Sequence, residues 1–184
     1  MSREPRPGVA PESLFEGRHL VLERRGGWEY VRRRHASGVV AIVALTASGE
    51  IVLVEQHRAP LDARVVELPA GLVGDLVDEA DEQPLTAARR ELMEETGFVS
   101  DDWTEVCEGP VSAGLTNERV RLFLARDARS EGPGGGDASE EIAVHIVPIR
   151  LAWAWLAERR SQGVLVDHKV ITGFLLAGAG DLKS

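Results

Sequence analysis

Apolar residues fall along this chain in short runs punctuated by glycine and proline. Val39, Val40, Ile42 and Val43 stand almost consecutively within residues 38–46, the pattern of a strand buried on both faces. Residues 50–55 follow the Ser48-Gly49 turn and complete a predicted pair. An earlier pair, residues 19–24 and 28–34, is joined at Gly26-Gly27, a hairpin signal. Residues 65–68 read as a short strand stopped by Pro69. Helical spacing appears with Leu85, Ala88, Leu92 and Thr96, on a helix opening near Pro84, where a first-turn proline is tolerated. Residues 103–107, 119–125 and 142–149 are further predicted strands. Residues 151–160 and 167–176 are predicted closing helices, with Trp153 and Leu156 assigned to the core. Polar, Pro-rich residues 1–16 are predicted as a poorly ordered tail. The stretch Gly132-Pro133-Gly134-Gly135-Gly136-Asp137 is predicted as a flexible loop. No Gly-Lys-Ser/Thr follows it, so it is not a phosphate-binding P-loop. The chain contains no internal repeat.

The predicted helix carries the chemistry. It places Glu91, Glu94 and Glu95 within one turn, fanned over an arc of roughly 100° beside the apolar stripe. Carboxylates so close repel by about 0.2–0.5 kcal/mol per pair on an isolated helix. A solvated acidic face is one reading of that cluster. The other is a cation site, for which hard oxygen donors suit magnesium or manganese.

The order Arg90-Glu91-Leu92, Glu94-Glu95, Gly97-Phe98, with Glu82 at the matching earlier position, resembles the Nudix box. One position departs from it. The box opens with a glycine six residues before its first glutamate, and Leu76 stands there. Gly71 is the nearest candidate, with five further residues, polar and acidic, between it and Glu82. The resemblance implies an α/β class fold, the Nudix α/β/α sandwich with a mixed sheet. To this it adds a small N-terminal β segment over residues 17–36 that joins two copies, ahead of a catalytic domain over residues 37–184.

Two further stretches, Leu53-Val54-Glu55-Gln56-His57-Arg58 and Glu67-Leu68-Pro69-Ala70-Gly71, resemble the subgroup that cleaves ADP-ribose and related nucleotide sugars. By that resemblance the Ala70 carbonyl, Glu91 and Glu95 hold the metal, and Glu94 is catalytic. A loop glutamate, Glu140 or Glu141, closes over the substrate as base or metal ligand. Arg58 contacts the diphosphate, chemistry suited to a guanidinium fork. Glu67, Gly71 and Gly114 join it in substrate binding, and Trp28, in Trp28-Glu29-Tyr30-Val31-Arg32-Arg33, stacks on the adenine. Ser112-Ala113-Gly114 resembles the subgroup's Ser-Pro-Gly loop. Its marker proline falls sixteen positions after Gly97, where this chain has Ala113.

Composition bounds these readings. A chain of 184 residues with 43% hydrophobic and 28% charged positions suits one packed domain with an appended segment. A net charge of −9 argues against nonspecific nucleic-acid binding, and bound cations would reconcile it with a phosphate substrate. Cys107 is the single cysteine, so no intrachain disulfide forms and a reducing cytoplasm is the expected location. Arg3, Glu4 and Arg6 precede no signal-peptide core, and Asp167, His168 and Lys169 interrupt the C-terminal apolar stretch, so no membrane association is expected. The five histidines show no His-x-x-x-His spacing, and no Gly-x-Ser-x-Gly elbow occurs, which excludes those zinc and serine chemistries. The expectation is a Mg2+-dependent (or Mn2+-dependent) homodimer that hydrolyses a nucleoside diphosphate sugar, ADP-ribose first, to a nucleoside monophosphate and a sugar phosphate. The alternatives are another Nudix substrate (GDP-mannose, a dinucleoside polyphosphate or an oxidised nucleotide) and a non-catalytic sensor of nucleotide sugars.

Overall fold

The computed structural model describes residues 8–74, 81–136 and 141–178; Leu76 and Glu140 lie outside them. In chain order, β1 (Glu12–Glu16), β2 (Leu20–Arg25) and β3 (Trp28–Arg33) form a small antiparallel sheet. Next come β4 (Gly38–Leu45), β5 (Glu50–Arg58), β6 (Ala63–Glu67) and β7 (Ala70–Val73), then helix α1 (Pro84–Thr96). Two strands follow, β8 (Phe98–Val99) and β9 (Asp102–Pro110), then β10 (Arg119–Arg126), β11 (Arg129–Ser130) and β12 (Ala143–Pro148). Helix α2 (Ala152–Ser161), β13 (Leu165–Val166) and helix α3 (His168–Gly178) complete the chain.

The main sheet runs β13-β6-β5-β4-β10-β9, with β12 added to β5 and β7 to β4. β10 is parallel to β4 and β13 to β6, while the other pairs are antiparallel, so the sheet is mixed. The apolar run of β4 explains the layering. Ala41 and Val43 pack with Val170, Phe174 and Leu156 of α3 and α2. Val40, Ile42 and Ala44 point the other way, onto Ala87, Ala88 and Leu92 of α1. Side chains alternate across a strand, so a strand covered on both faces must be apolar at every position. The result is the three-layer α/β/α sandwich with a small N-terminal sheet.

Three expectations change. Trp153, assigned to the core from sequence, is 61% exposed and touches the core through the edge contact of its ring with Phe174, while Leu156 is buried as expected. Residues 12–16, read from sequence as part of the tail, form β1 on β2. The glycine-rich stretch is not free over its described part. Glu131 and Gly132 donate to the Gly97 carbonyl, Gly135 to that of Glu95 and Gly136 to that of Glu94. A Cβ on Gly134 would stand 2.3 Å from the Thr96 carbonyl carbon, and one on Gly97 2.1 Å from the Gly132 oxygen. Glycine is there because two backbones cross in contact, as well as for turning.

The N-terminal sheet touches the body through few bonds. The Val31 N–H donates to the Leu115 carbonyl at 2.9 Å, the Thr116 hydroxyl donates to the Val31 carbonyl at 2.9 Å, and Arg33 pairs with Glu118. Phe15, Leu20 and Trp28 on this sheet stay exposed. Among the described residues no helix is long and apolar enough to cross a membrane.

Candidate active site

Helix α1 lies across β7. Ala87, Ala88 and Leu92 are fully buried beneath it, Pro84 opens it, and Gly97 ends it in the left-handed conformation at φ 72°, with its N–H on the Met93 carbonyl. This packing turns the next stripe of the helix, Glu91 and Glu95, toward the Ala70-Gly71 backbone. The Ala70 N–H donates to Glu95 Oε2 at 3.0 Å, and Glu95 is 5% exposed. Glu91 fills the space above Gly71, where a Cβ would lie 1.9 Å from the Glu91 carboxyl carbon. β7 itself is held by β4, through Val40 opposite Gly71 and Ala41 opposite Ala70.

Arg90 ties the acids together. Its guanidinium donates to Glu82 Oε1 at 3.1 Å, Glu91 Oε1 at 2.8 Å, Glu94 Oε2 at 3.0 Å and the Leu72 carbonyl at 3.0 Å. Burial pushes the Arg90 pKa down, but Glu82, Glu91 and Glu94 outweigh it and raise it, so the residue stays charged. Burial pushes the Glu82 carboxyl up, yet Arg90 and the Gly74 N–H outweigh it and hold it below the usual carboxylate range. Glu82 and Arg90 form a buried scaffold, whereas Glu94 is exposed at the rim.

These residues form one wall of a cleft of ≈ 810 Å³. Arg58 and Glu67 line it too, joined by an Arg58 Nε–Glu67 Oε2 hydrogen bond of 2.7 Å. So do Arg33, Glu118, Gly136 and Lys169, the last paired with Asp167 at 2.6 Å. Among the described residues no three His, Cys, Asp or Glu side chains converge as a ready-made metal cage. The donor set instead consists of two carboxylates against main chain. Hard oxygens beside a backbone stripped of its side chain at Gly71 suit a divalent cation.

The cleft therefore gathers Arg58, Glu67, Ala70, Gly71, Glu91, Glu94 and Glu95 from the sequence-derived set. Trp28 and Gly114 sit apart, beside each other: a Cβ on Gly114 would be 3.9 Å from the Trp28 ring. Glu141 is exposed ahead of β12, and it too is not among the described residues lining the cleft. Arg33 and Lys169 gave no sequence signal. They reach the cleft from the N-terminal sheet and from α3, through contacts no local motif records.

Comparison with known proteins identifies the family. The NUDIX domain pattern matches residues 34–166. An ADP-ribose pyrophosphatase of Mycobacterium tuberculosis is 35% identical over 178 residues, covering 93% of this chain and 82% of that protein. A methanol dehydrogenase activator of Bacillus methanolicus is 32% identical over 171 residues, covering 89% and 87% respectively. The crystal structure of an ADP compounds hydrolase superposes with a TM-score of 0.61 at 21% identity, covering 83% of this chain and 86% of the other. The chain belongs to the Nudix family and has the make-up of its pyrophosphohydrolases.

Proposed function

We propose that this protein hydrolyses the diphosphate bridge of a nucleoside diphosphate sugar, with ADP-ribose the foremost substrate. The observation that carries this reading is the meeting of Glu91, Glu95 and the Ala70-Gly71 backbone with Arg58 in one cleft. The relative from M. tuberculosis, an ADP-ribose pyrophosphatase, supports the choice of substrate.

Glu91, Glu95 and the Ala70 carbonyl would hold a divalent cation, Mg2+ or Mn2+. Such an ion supplies charge neutralisation of the diphosphate and acidification of water. Glu67 holds the Nε edge of Arg58, which leaves the remaining guanidinium N–H groups for phosphate oxygens. Arg90 keeps Glu91 and Glu94 in place through charged hydrogen bonds. Glu94 at the rim, or Glu140 or Glu141 as the family resemblance implies, takes the proton of the attacking water. The new P–O bond forms as the bridging P–O bond breaks, releasing a nucleoside monophosphate and a sugar phosphate.

Trp28, exposed beside Gly114, offers its ring to the base. The apolar side chains left exposed on the N-terminal sheet support pairing of two copies through it. A panel of ADP-ribose, GDP-mannose, dinucleoside polyphosphates and nucleoside triphosphates, with Mg2+ or Mn2+, tests the reading. ADP-ribose should rank first. Preferential cleavage of triphosphates would replace it.

A further inference from the structure

The cleft has a side room. Val111, Val120 and Lys169 line both the cleft and a second pocket of ≈ 420 Å³ between the β9–β10 ladder and the start of α3. The ladder register explains its wall. Cys107, Gly109 and Val111 alternate along the chain and so point to one face, and Cys107 stands opposite Leu122 and Gly109 opposite Val120. Across the gap stand Asp167, His168 and Thr172. Asp167 accepts the Lys169 N–H at 2.7 Å and its ammonium at 2.6 Å, which fixes Lys169 at the doorway.

We propose that this side pocket takes the sugar of the nucleotide sugar, with Gly109 and Thr172 setting the size of sugar admitted; the proposal rests on the diphosphate-cleaving reading above. Its chemistry is that of a sugar site. Val120, Leu122 and Val166 give an apolar floor for the C–H face of a ring, and a carboxylate, a hydroxyl and an imidazole ring the rim for hydroxyl groups. The base has a different place, the Trp28 ring against Gly114 at the tip of the β9–β10 connection. In this assignment one substrate has its diphosphate in the cleft, its sugar in the adjoining side pocket and its base on Trp28.

Gly109 makes the test clean, because a Cβ there meets nothing within 4 Å. Gly109→Leu should fill the pocket without displacing the core. It is expected to lower kcat/KM for ADP-ribose at least about tenfold, while ADP methyl ester, which has a methyl group in place of the sugar, changes by less than about twofold. Equal loss on both compounds, or no loss on either, overturns the proposal. A second measurement uses the unaltered protein. Cys107 is its only cysteine and is exposed in this pocket, so its alkylation by iodoacetamide reports occupancy. Excess ADP-ribose should slow that alkylation and ADP should not. Equal protection by both, or none by either, also overturns the assignment. Protection by ADP-ribose in a protein that hydrolyses neither compound supports the pocket and removes the catalytic reading alone.

Discussion

The carboxylate of Glu91 stands where Gly71 would carry a side chain, its carboxyl carbon 1.9 Å from the position of a Cβ. Any larger residue at position 71 must push Glu91 away from the backbone it shares with Glu95. Gly71→Ala should therefore cut turnover by about 10²-fold, the usual effect of misplacing a site group by an ångström. Overpacking costs about 1–3 kcal/mol, so the fold should survive. Steady-state kinetics with a cation titration checks this. The half-saturating cation concentration should rise, and wild-type behaviour in the folded variant would contradict the arrangement.

Trp28 concerns affinity, not chemistry. It is 55% exposed and lies against Gly114, outside the described lining of the cleft. Stacking on a base is made equally in the ground and transition states, so Trp28→Ala should raise KM for ADP-ribose with kcat nearly unchanged. Unchanged kinetics would make Trp28 a packing residue of the N-terminal hairpin.

Gly134 combines φ +62° with a forbidden Cβ position 2.3 Å from the Thr96 carbonyl carbon. The left-handed conformation alone costs a residue with a side chain about 1–2 kcal/mol. Gly134→Ala should thus lower the melting temperature by at least about 2–4 °C, as followed by circular dichroism. Turnover should fall as well, because Gly136 lines the cleft and is tethered to the Glu94 carbonyl. A variant that melts with the wild type would show that the stretch does not pack as described.

Much of this was legible in the sequence, and the gaps have physical causes. The run at Val39–Val43 announced a strand buried on both faces because alternation forces apolar residues at every position. The acids of α1 were legible because they and the buried stripe share one helical period. β7 was not. Ala70 and Gly71 have little strand preference, and only pairing with Val40 and Ala41 makes them a strand. The glycine-rich stretch misled because composition records conformational freedom but not the close crossing over Thr96 and Gly97. Lys169 could not be inferred at all, since its approach to the cleft depends on where α3 lands.

Glu55 lies in β5, and nothing in the sequence around it marks it as buried. It is 1% exposed and accepts from Arg64 at 2.7 Å and Arg159 at 2.5 Å, with His145 at 3.1 Å. Burial pushes its pKa up, but hydrogen bonds from Arg64 and Arg159 outweigh this and hold it below the usual range. A carboxyl depressed in the folded state adds stability that is complete above the unfolded glutamate pKa of about 4.3. That stability is lost as pH falls through the lower folded value. Glu55→Gln should cost about 3–5 kcal/mol near neutral pH, the penalty for breaking a buried ion pair from one side. It should also flatten the acid limb of stability against pH. Urea melts across that limb would show both effects, and a variant as acid-sensitive as the wild type would contradict the role of Glu55.

The most direct test of the catalytic assignment is hydrolysis of ADP-ribose in 18O-labelled water with Mg2+, comparing the wild type with Glu95→Gln and identifying products by mass spectrometry. Glu95 anchors on the Ala70 N–H at 3.0 Å, and a neutral amide is a poor ligand for a hard cation. The expected result is AMP and ribose 5-phosphate, one of them carrying a single 18O, with the folded Glu95→Gln protein slower by at least about 10²-fold. Near-normal turnover by Glu95→Gln at saturating Mg2+, or a wild type that leaves ADP-ribose intact, would contradict it.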